Sequence, residues 1–156
     1  MPGRGSAPVV DPQKVRHLLA LYRRYRRYLT DLAARSDEAL RSDFAVMGGV
    51  QHYLLLAIET LLDLGSHLIS SEGYEPPTAY ADIFRVLRDE GVVEAELADR
   101  LMAMARFRNV LVHLYAEVDE KRVLEILRGS LGDLDAFVEA LRRRFTADLG
   151  SGESNP

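Results

Sequence analysis

The feature that most constrains this chain is a long apolar run at residues 44–70, FAVMGGVQHYLLLAIETLLDLGSHLIS. Its apolar residues cover more than one side of a helix, which is typical of the central helix of a bundle. Glu59 and Asp63 interrupt the run, so it falls short of the roughly 20 apolar residues that cross a membrane. We therefore predict a buried helix that begins near Ser42 or Asp43 and ends at Gly73.

Helical signals flank this run on both sides. Asp11 and Pro12 form a helix start, and apolar residues then recur every three or four positions, at Val15, Leu18, Tyr22, Tyr25, Leu29 and Leu32. Thr78 is expected to cap a third helix that Gly91 ends, and a fourth helix follows over residues 92–115. Asp119 is expected to cap a last helix, interrupted at Gly129 and Gly132. The pattern predicts an all-α, antiparallel bundle of four to five helices.

The length of 156 residues fits one domain. We expect a disordered segment over 1–11, a helical domain over 12–148 and a disordered tail over 149–156, because both ends are rich in Gly, Pro and Ser. Within the central helix, the pair Gly48 and Gly49 is expected to permit the close approach of a neighbouring backbone.

Charge and composition exclude several function classes. The formal net charge is −4, so neither DNA nor an anionic membrane is an expected partner, and nucleic-acid binding would need a local basic patch. The chain has no cysteine, which excludes thiolate catalysis and Cys-based zinc sites. The start MPGRGSAPVVDP lacks the apolar core of a signal peptide, so a cytoplasmic protein is expected.

The octapeptide RNVLVHLY, residues 108–115, places four polar groups in an otherwise apolar helix. On a regular helix Arg108 and Tyr115 lie about 20° apart around the axis, whereas Arg108 and His113 lie about 140° apart. One helix therefore does not point the arginine and the histidine at the same atom. Either the helix ends near His113, or two helices share the site, as they would across the two-fold axis of a symmetric homodimer.

An arginine and a histidine together suit chemistry on a polyanion. A guanidinium binds phosphate, and an imidazole transfers protons near neutral pH. Cleavage of RNA through its own 2′-hydroxyl needs little more.

These residues carry a family resemblance. Arg108, Asn109, His113 and Tyr115 fit the pattern R-N-x(3)-H-x-Y of HepT toxins in the HEPN superfamily. The segments ETLLDLGSHLI in the second helix and FRVLRDEGVV before the motif helix also look like HepT segments. The resemblance covers roughly residues 12–145, and no motif position departs from the pattern.

The resemblance implies an all-helical homodimer that acts as a metal-independent endoribonuclease toxin of a type VII toxin-antitoxin pair, with no cofactor. It assigns Arg108 and His113 as catalytic residues, Asn109 as their supporting hydrogen-bond partner and Tyr115 as the acceptor of AMP. It also implies an MNT-type nucleotidyltransferase antitoxin that modifies this tyrosine.

Two other polar groups have competing interpretations. His52, Glu59, Asp63 and His67 share one side of the second helix. We do not expect a metal there, and expect Asp63 or Glu59 to pair with an arginine such as Arg108 and to orient it. In YRRYRRY, Arg23, Arg24, Arg26 and Arg27 are candidate RNA contacts, or only the solvated rim of a buried stripe.

Two non-catalytic readings stay open. The first is a HEPN nucleotide-binding or adaptor subunit that uses the same arginine to assemble with a nucleotidyltransferase. The second is a plain helical interaction protein.

Overall fold

The computed structural model describes residues 10–113 and 117–145, which are helical apart from short connections. The order of elements is α1 (Pro12–Ala33), α2 (Asp37–Ser42), α3 (Phe44–Glu72), α4 (Tyr80–Asp89), α5 (Ala95–His113), α6 (Glu120–Gly129) and α7 (Leu131–Arg144). The predicted all-α class is confirmed. Disorder was expected over 1–11 and 149–156. Of these residues the structure describes only Val10, which is buried, and Asp11, which caps α1; the others lie outside the described residues.

Helices α1 and α3 pack side by side and run in opposite directions. The backbone N–H of Asp11, at the start of α1, donates to Nε2 of His67 near the end of α3, at 3.1 Å. The ring of Tyr28, late in α1, lies 4.9 Å from that of Tyr53, early in α3. Antiparallel packing of the first two long helices is the arrangement that the bundle prediction requires.

Helix α3 forms the centre of the core. Buried residues occur along its whole length, from Met47 to Ser71, and α1, α4, α5, α6 and α7 all pack against it. By length and composition α3 is apolar enough to cross a membrane, but a core helix passes the same test. Its burial among the other helices is the pattern of a core helix.

The close helix approach occurs at a different glycine from the predicted pair. A Cβ built on Gly48 or Gly49 meets no described atom within 4 Å. The prediction that a neighbouring backbone approaches this glycine pair is therefore wrong for the described residues. A Cβ on Gly65 would lie 2.9 Å from Cγ2 of Ile83 in α4 and 3.4 Å from Cζ of Phe137 in α7. Gly65 therefore lets α4 and α7 pack directly on the backbone of α3.

Most predicted helix ends are confirmed. The carboxylate of Asp11 accepts hydrogen bonds from the backbone of Gln13 and Lys14, and Asp43 caps α3 in the same way. Gly73 and Gly91 adopt φ of 71° and 75°, the left-handed conformation that favours glycine after a helix.

Three local predictions are corrected. Ala79, and not Thr78, precedes α4, while the backbone and hydroxyl of Thr78 donate to the carboxylate of Asp82. The helix predicted from residue 92 begins at Ala95, since Val92 and Val93 are buried in the preceding turn. The predicted interruption at Gly129 and Gly132 is a complete break at Ser130, which separates α6 from α7. With the short α2, which was not predicted, the described residues form seven helices and not four or five.

Candidate active site

The guanidinium of Arg108, in the last two turns of α5, is held on three sides. Its Nε and Nη2 donate to Oε1 of Glu59 in α3, at 3.1 and 2.7 Å, and its Nη1 donates to Oδ1 of Asn109 at 3.1 Å. The ring of Tyr80, the first residue of α4, has its centroid 4.3 Å from Cζ. Three helices thus fix one cation, whose side chain is only 12% exposed.

Glu59 and Asp63 lie one turn apart on α3. Glu59, and not Asp63, is the partner of Arg108 and therefore the acid that orients it. Burial raises the pKa of the Asp63 carboxyl, and the negative charge of Glu59 raises it further, while the positive charges of Lys14 and Arg108 act in the opposite direction. The Arg108 site therefore extends as a charged surface along α3 toward Lys14 of α1.

His113 is the last described residue of α5 and is exposed. Within the described part of the chain it has no hydrogen bond or ion pair, so the structure does not bring it to Arg108. This agrees with the separation of about 140° that a continuous helix imposes. The motif helix is regular through His113. Tyr115 lies outside the described residues.

The other polar residues of α3 are accounted for by local contacts. His52 packs its ring edge against Tyr53 at 5.5 Å. His67 accepts the hydrogen bond from Asp11, and burial, followed by the positive charge of Lys14, lowers its pKa. Among the described residues, no three His, Asp or Glu side chains converge as a metal-binding group.

The four arginines of YRRYRRY fall into two kinds. Arg26 is tied to Asp135 of α7, with Nη2 donating to Oδ2 at 3.0 Å. Arg23, Arg24 and Arg27 are exposed and form no hydrogen bond or ion pair within the described residues.

The tyrosines of the same segment belong to the helix packing. Tyr22 is buried and donates to Asp135; burial raises its pKa well above the usual range, and this hydrogen bond raises it further. Tyr25 and Tyr28 are half-buried and pack against Tyr53.

Tyr80 was missed by sequence reasoning. Its position at the start of a short helix predicts only an exposed aromatic, and no spacing in the sequence relates it to a motif 28 residues later. The contact with Arg108 arises from the packing of α4 on α5, which only the tertiary structure supplies.

Comparison with known proteins gives this site a family. The model of the family described as Ribonuclease HepT-like matches residues 18–141, which includes the motif helix and most of the chain. The chain belongs to the HepT-like ribonuclease family. The predicted resemblance is thereby confirmed.

Two curated relatives support the assignment. A protein of Archaeoglobus fulgidus named "Putative RNase" is 30% identical over 112 residues, which are 72% of this chain and 83% of that protein. The protein "mRNA nuclease HepT" of Shewanella oneidensis is 24% identical over 102 residues, or 65% of this chain and 77% of the relative. Both names describe nucleases that act on RNA.

Solved structures show the same fold. A tri-AMPylated HEPN toxin of Shewanella oneidensis, in complex with MNT antitoxin, aligns with a TM-score of 0.77 at 21% identity, covering 83% of this chain and 97% of that one. A cytosolic protein of unknown function from Bacillus subtilis, YutE, aligns with a TM-score of 0.78 at 24% identity, covering 92% of this chain and 96% of that one.

Proposed function

We propose that this chain is a HepT-type toxin, a metal-independent endoribonuclease whose catalytic residues are Arg108 and His113. The observation that carries the proposal is the fixed guanidinium of Arg108, bound to Glu59 and Asn109 beneath Tyr80, on the helix that carries the family's motif. Membership of the HepT-like ribonuclease family and the names of both curated relatives support it.

The reaction follows from the two side chains. One imidazole takes the proton of an RNA 2′-hydroxyl, and the 2′-oxygen attacks the adjacent phosphorus. The bond from phosphorus to the 5′-oxygen breaks, and that oxygen leaves with a proton returned by an imidazolium. Arg108 stabilises the added negative charge on the phosphoryl oxygens. The products are a 2′,3′-cyclic phosphate and a 5′-hydroxyl, and neither a cofactor nor a metal ion enters the balance.

The site is proposed to form between two protomers of a symmetric homodimer. Within one chain Arg108 and His113 point to different sides of α5, while a two-fold axis perpendicular to this helix, placed between the two residues along its length, brings the arginine of one chain to the histidine of its partner. Val110 and Val112, which lie between them, are half-buried in the single chain and therefore offer apolar surface to a second copy.

The proposed partner is an MNT-type nucleotidyltransferase antitoxin that transfers AMP to the hydroxyl of Tyr115. Attack of this hydroxyl on the α-phosphorus of ATP would release pyrophosphate and leave an AMP ester two residues after His113 in the sequence. The toxin of the Shewanella complex is described as AMPylated and bound to MNT antitoxin, which supports the same modification here. A cytoplasmic location is proposed with it.

A non-catalytic adaptor role is less favoured. It would use Arg108 to bind a nucleotide or a partner and would leave the RNase names of the relatives unexplained.

The direct test is cleavage of single-stranded RNA by the purified protein in the presence of a chelator. We expect products with 2′,3′-cyclic phosphate ends, and we expect His113→Ala to lose at least about 99% of the activity, because proton transfer contributes about 100-fold or more. His17→Ala is the matched control, since His17 is exposed on α1 and has no hydrogen bond within the described residues. A folded His113→Ala protein with full activity would contradict the proposal.

The modification has its own test. Co-expression with the proposed MNT-type partner, followed by mass spectrometry of the peptide that contains Tyr115, should show AMP adducts. Tyr115→Phe should abolish them. Adducts that persist on another residue of this variant would refute the assignment of Tyr115.

A further inference from the structure

Positive charge is concentrated on α1. This helix holds six Lys and Arg residues and one Asp, while the whole chain has a formal net charge of −4. A local basic surface of this kind attracts anions even though the molecule as a whole repels them. With +5 on α1, the rest of the chain carries a formal net charge of −9, which makes α1 well suited to a polyanion.

Three of these cations form a straight stripe. Arg16, Arg23 and Arg27 lie within about 40° of one another around the axis and extend along about 16 Å of helix. All three are exposed, and none has a hydrogen bond or ion pair within the described residues. The stripe is therefore a regular row of guanidinium groups along one face of a helix. Asp31 follows one turn beyond Arg27 but forms no ion pair with it within the described residues.

The stripe borders a groove between α1 and α7 with a volume of about 520 Å³, lined in part by Arg23, Arg26, Arg27, Asp135, Glu139 and Arg142. Both carboxylates lie on the α7 wall and both have arginine partners: Nε of Arg143 lies 3.9 Å from Oε1 of Glu139, and the negative charge of Asp135 is compensated inside the fold. Arg26 forms an ion pair with it, and the hydroxyl of Tyr22 donates to it. Asp135 thus holds the two helices together, and it repels an incoming anion less than a free carboxylate would.

Resting on the proposed function, we propose that the stripe formed by Arg16, Arg23 and Arg27 and the adjoining groove bind the phosphates of the RNA substrate outside the cleavage site. Neighbouring arginines of the stripe are four and seven residues apart, or about 6 and 10 Å along the axis. An extended single strand can place successive phosphates over such a row. Each contact releases counterions from the strand, and this release is the main source of affinity.

An RNA strand fits this surface better than an acidic protein does. Protein interfaces are anchored by apolar or aromatic side chains at their centre. The large hydrophobic residues exposed in the described chain are Phe44 and Tyr80, and neither belongs to α1. The tyrosines interleaved with the arginines pack against Tyr53 or point into the core, so the groove contacts phosphates and does not stack bases.

The stripe is separate from the motif. It lies on the side of α1 that faces α7, whereas Arg108 contacts α3 and α4. Only an RNA long enough to reach both surfaces gains from the stripe. The inference therefore predicts a dependence on substrate length that the catalytic residues alone do not produce.

The test compares two double charge reversals. Arg23→Glu/Arg27→Glu alters the stripe, and Arg35→Glu/Arg41→Glu makes the same change in net charge at two exposed arginines beyond α1. Binding is measured by fluorescence anisotropy with a 2′-O-methylated single-stranded RNA, which cannot be cleaved through its 2′-oxygen. Arg26 is left intact because its ion pair holds α7.

We expect Arg23→Glu/Arg27→Glu to weaken binding at least about tenfold at 0.1 M salt and to lower the slope of log Kd against log salt by about 1.4, since each single-strand contact contributes about 0.7. Arg23→Lys/Arg27→Lys should keep most of the affinity because it keeps the charge. The kcat on a dinucleotide should stay within about twofold of the unmodified protein. KM should rise at least about tenfold for a long RNA only.

Equal losses in both double reversals would overturn the proposal, because net charge alone would then explain them. An unchanged salt slope, or a loss confined to binding of the nucleotidyltransferase, would overturn it as well. Failure of the proposed function looks different. In that case the unmodified protein would cleave no RNA, while the stripe would still bind the uncleavable strand with the predicted slope.

Discussion

Arg108 in α5 and the pair Arg23 and Arg27 in α1 have the same side chain in opposite surroundings. Arg108 is almost buried, with Glu59, Asn109 and Tyr80 around its guanidinium. Arg23 and Arg27 are exposed, without a hydrogen bond or ion pair inside the described chain. A fixed cation can stabilise charge at one place, while free cations attract a polyanion over a distance. The contrast separates catalysis from substrate capture.

Loss of the fixed cation should have the largest effect. Arg108→Ala is expected to lower kcat by about 100- to 1000-fold, the usual result of removing one donor to a developing negative charge. Rate measurements on a short RNA check this, because they avoid the α1 surface. Arg106→Ala, an exposed arginine of the same helix, is the control. A folded Arg108→Ala protein with more than a tenth of the normal activity would contradict the catalytic role of Arg108, because the fixed arginine would then matter no more than an exposed one.

Glu59 should matter because it positions Arg108. In Glu59→Gln the guanidinium loses its charged partner, and we expect kcat to fall by about tenfold, which is the value of one charge-assisted hydrogen bond. KM should not rise, because removal of a negative charge does not weaken phosphate binding. Steady-state kinetics should separate these constants, with Glu72→Gln, at the exposed end of α3, as the control. A rise in KM with unchanged kcat would contradict the positioning role.

Arg85 of α4 is a third kind of arginine, because its ion pairs serve the fold. The carboxylate of Asp82 accepts hydrogen bonds from Arg85 and from the backbone N–H of Thr78. These bonds, chiefly those from Arg85, lower the pKa of Asp82 to about 2. Asp82→Asn should therefore cost about 1 kcal/mol of stability at pH 7, because it weakens charge-assisted hydrogen bonds with Arg85 and Thr78 that solvent partly screens.

The cost of Asp82→Asn should depend on pH with a defined sign. The folded pKa lies below the unfolded value of 3.8, so the stabilisation is present above about pH 4 and is lost as the pH falls toward 2. Urea unfolding of both proteins at several pH values measures this. If the difference in unfolding free energy between the two proteins stays constant down to pH 2, the stabilisation comes from packing and not from the charge of Asp82.

Tyr80 should show the smallest effect. Tyr80→Leu keeps an apolar side chain but removes the ring over Arg108, and a partly exposed cation–π contact is worth about 0.5–1 kcal/mol. We expect a decrease of about two- to fivefold in kcat/KM. Tyr74→Leu, in the loop before α4, serves as the control. If the Tyr80→Leu and unmodified proteins have equal activity, Tyr80 has no role in positioning Arg108, and Glu59 and Asn109 are sufficient for it.

Much of the fold was predictable because its signals are local. The caps at Asp11, Asp43 and Asp119, the glycines after α3 and α4, and the apolar period of α1 each act within a few residues. The short α2 also has a local signal, because the side chain of Ser36 accepts a hydrogen bond from the backbone of Ala39, but it was not recognised. The close approach at Gly65, in contrast, depends on Ile83 of α4 and Phe137 of α7, which are far along the chain. Local patterns do not contain that information.

The site divides in the same way. The spacing of Arg108 and His113 in one helix predicted that they would point apart, since this depends only on helix geometry. The choice of Glu59 over Asp63 as the arginine's partner and the contact with Tyr80 depend on how α3, α4 and α5 pack. The split between Arg26 and its neighbours likewise required the position of Asp135 in α7.

The central claim is that Arg108 of one protomer acts with His113 of its partner. The most direct measurement mixes Arg108→Ala and His113→Ala proteins, each nearly inactive alone, after unfolding and refolding them together. A mixed dimer then holds one complete site, so random pairing should restore about a quarter of the normal rate of RNA cleavage. If mixed dimers form, as mass spectrometry can verify, and the rate stays at the level of the separate variants, the claim is contradicted.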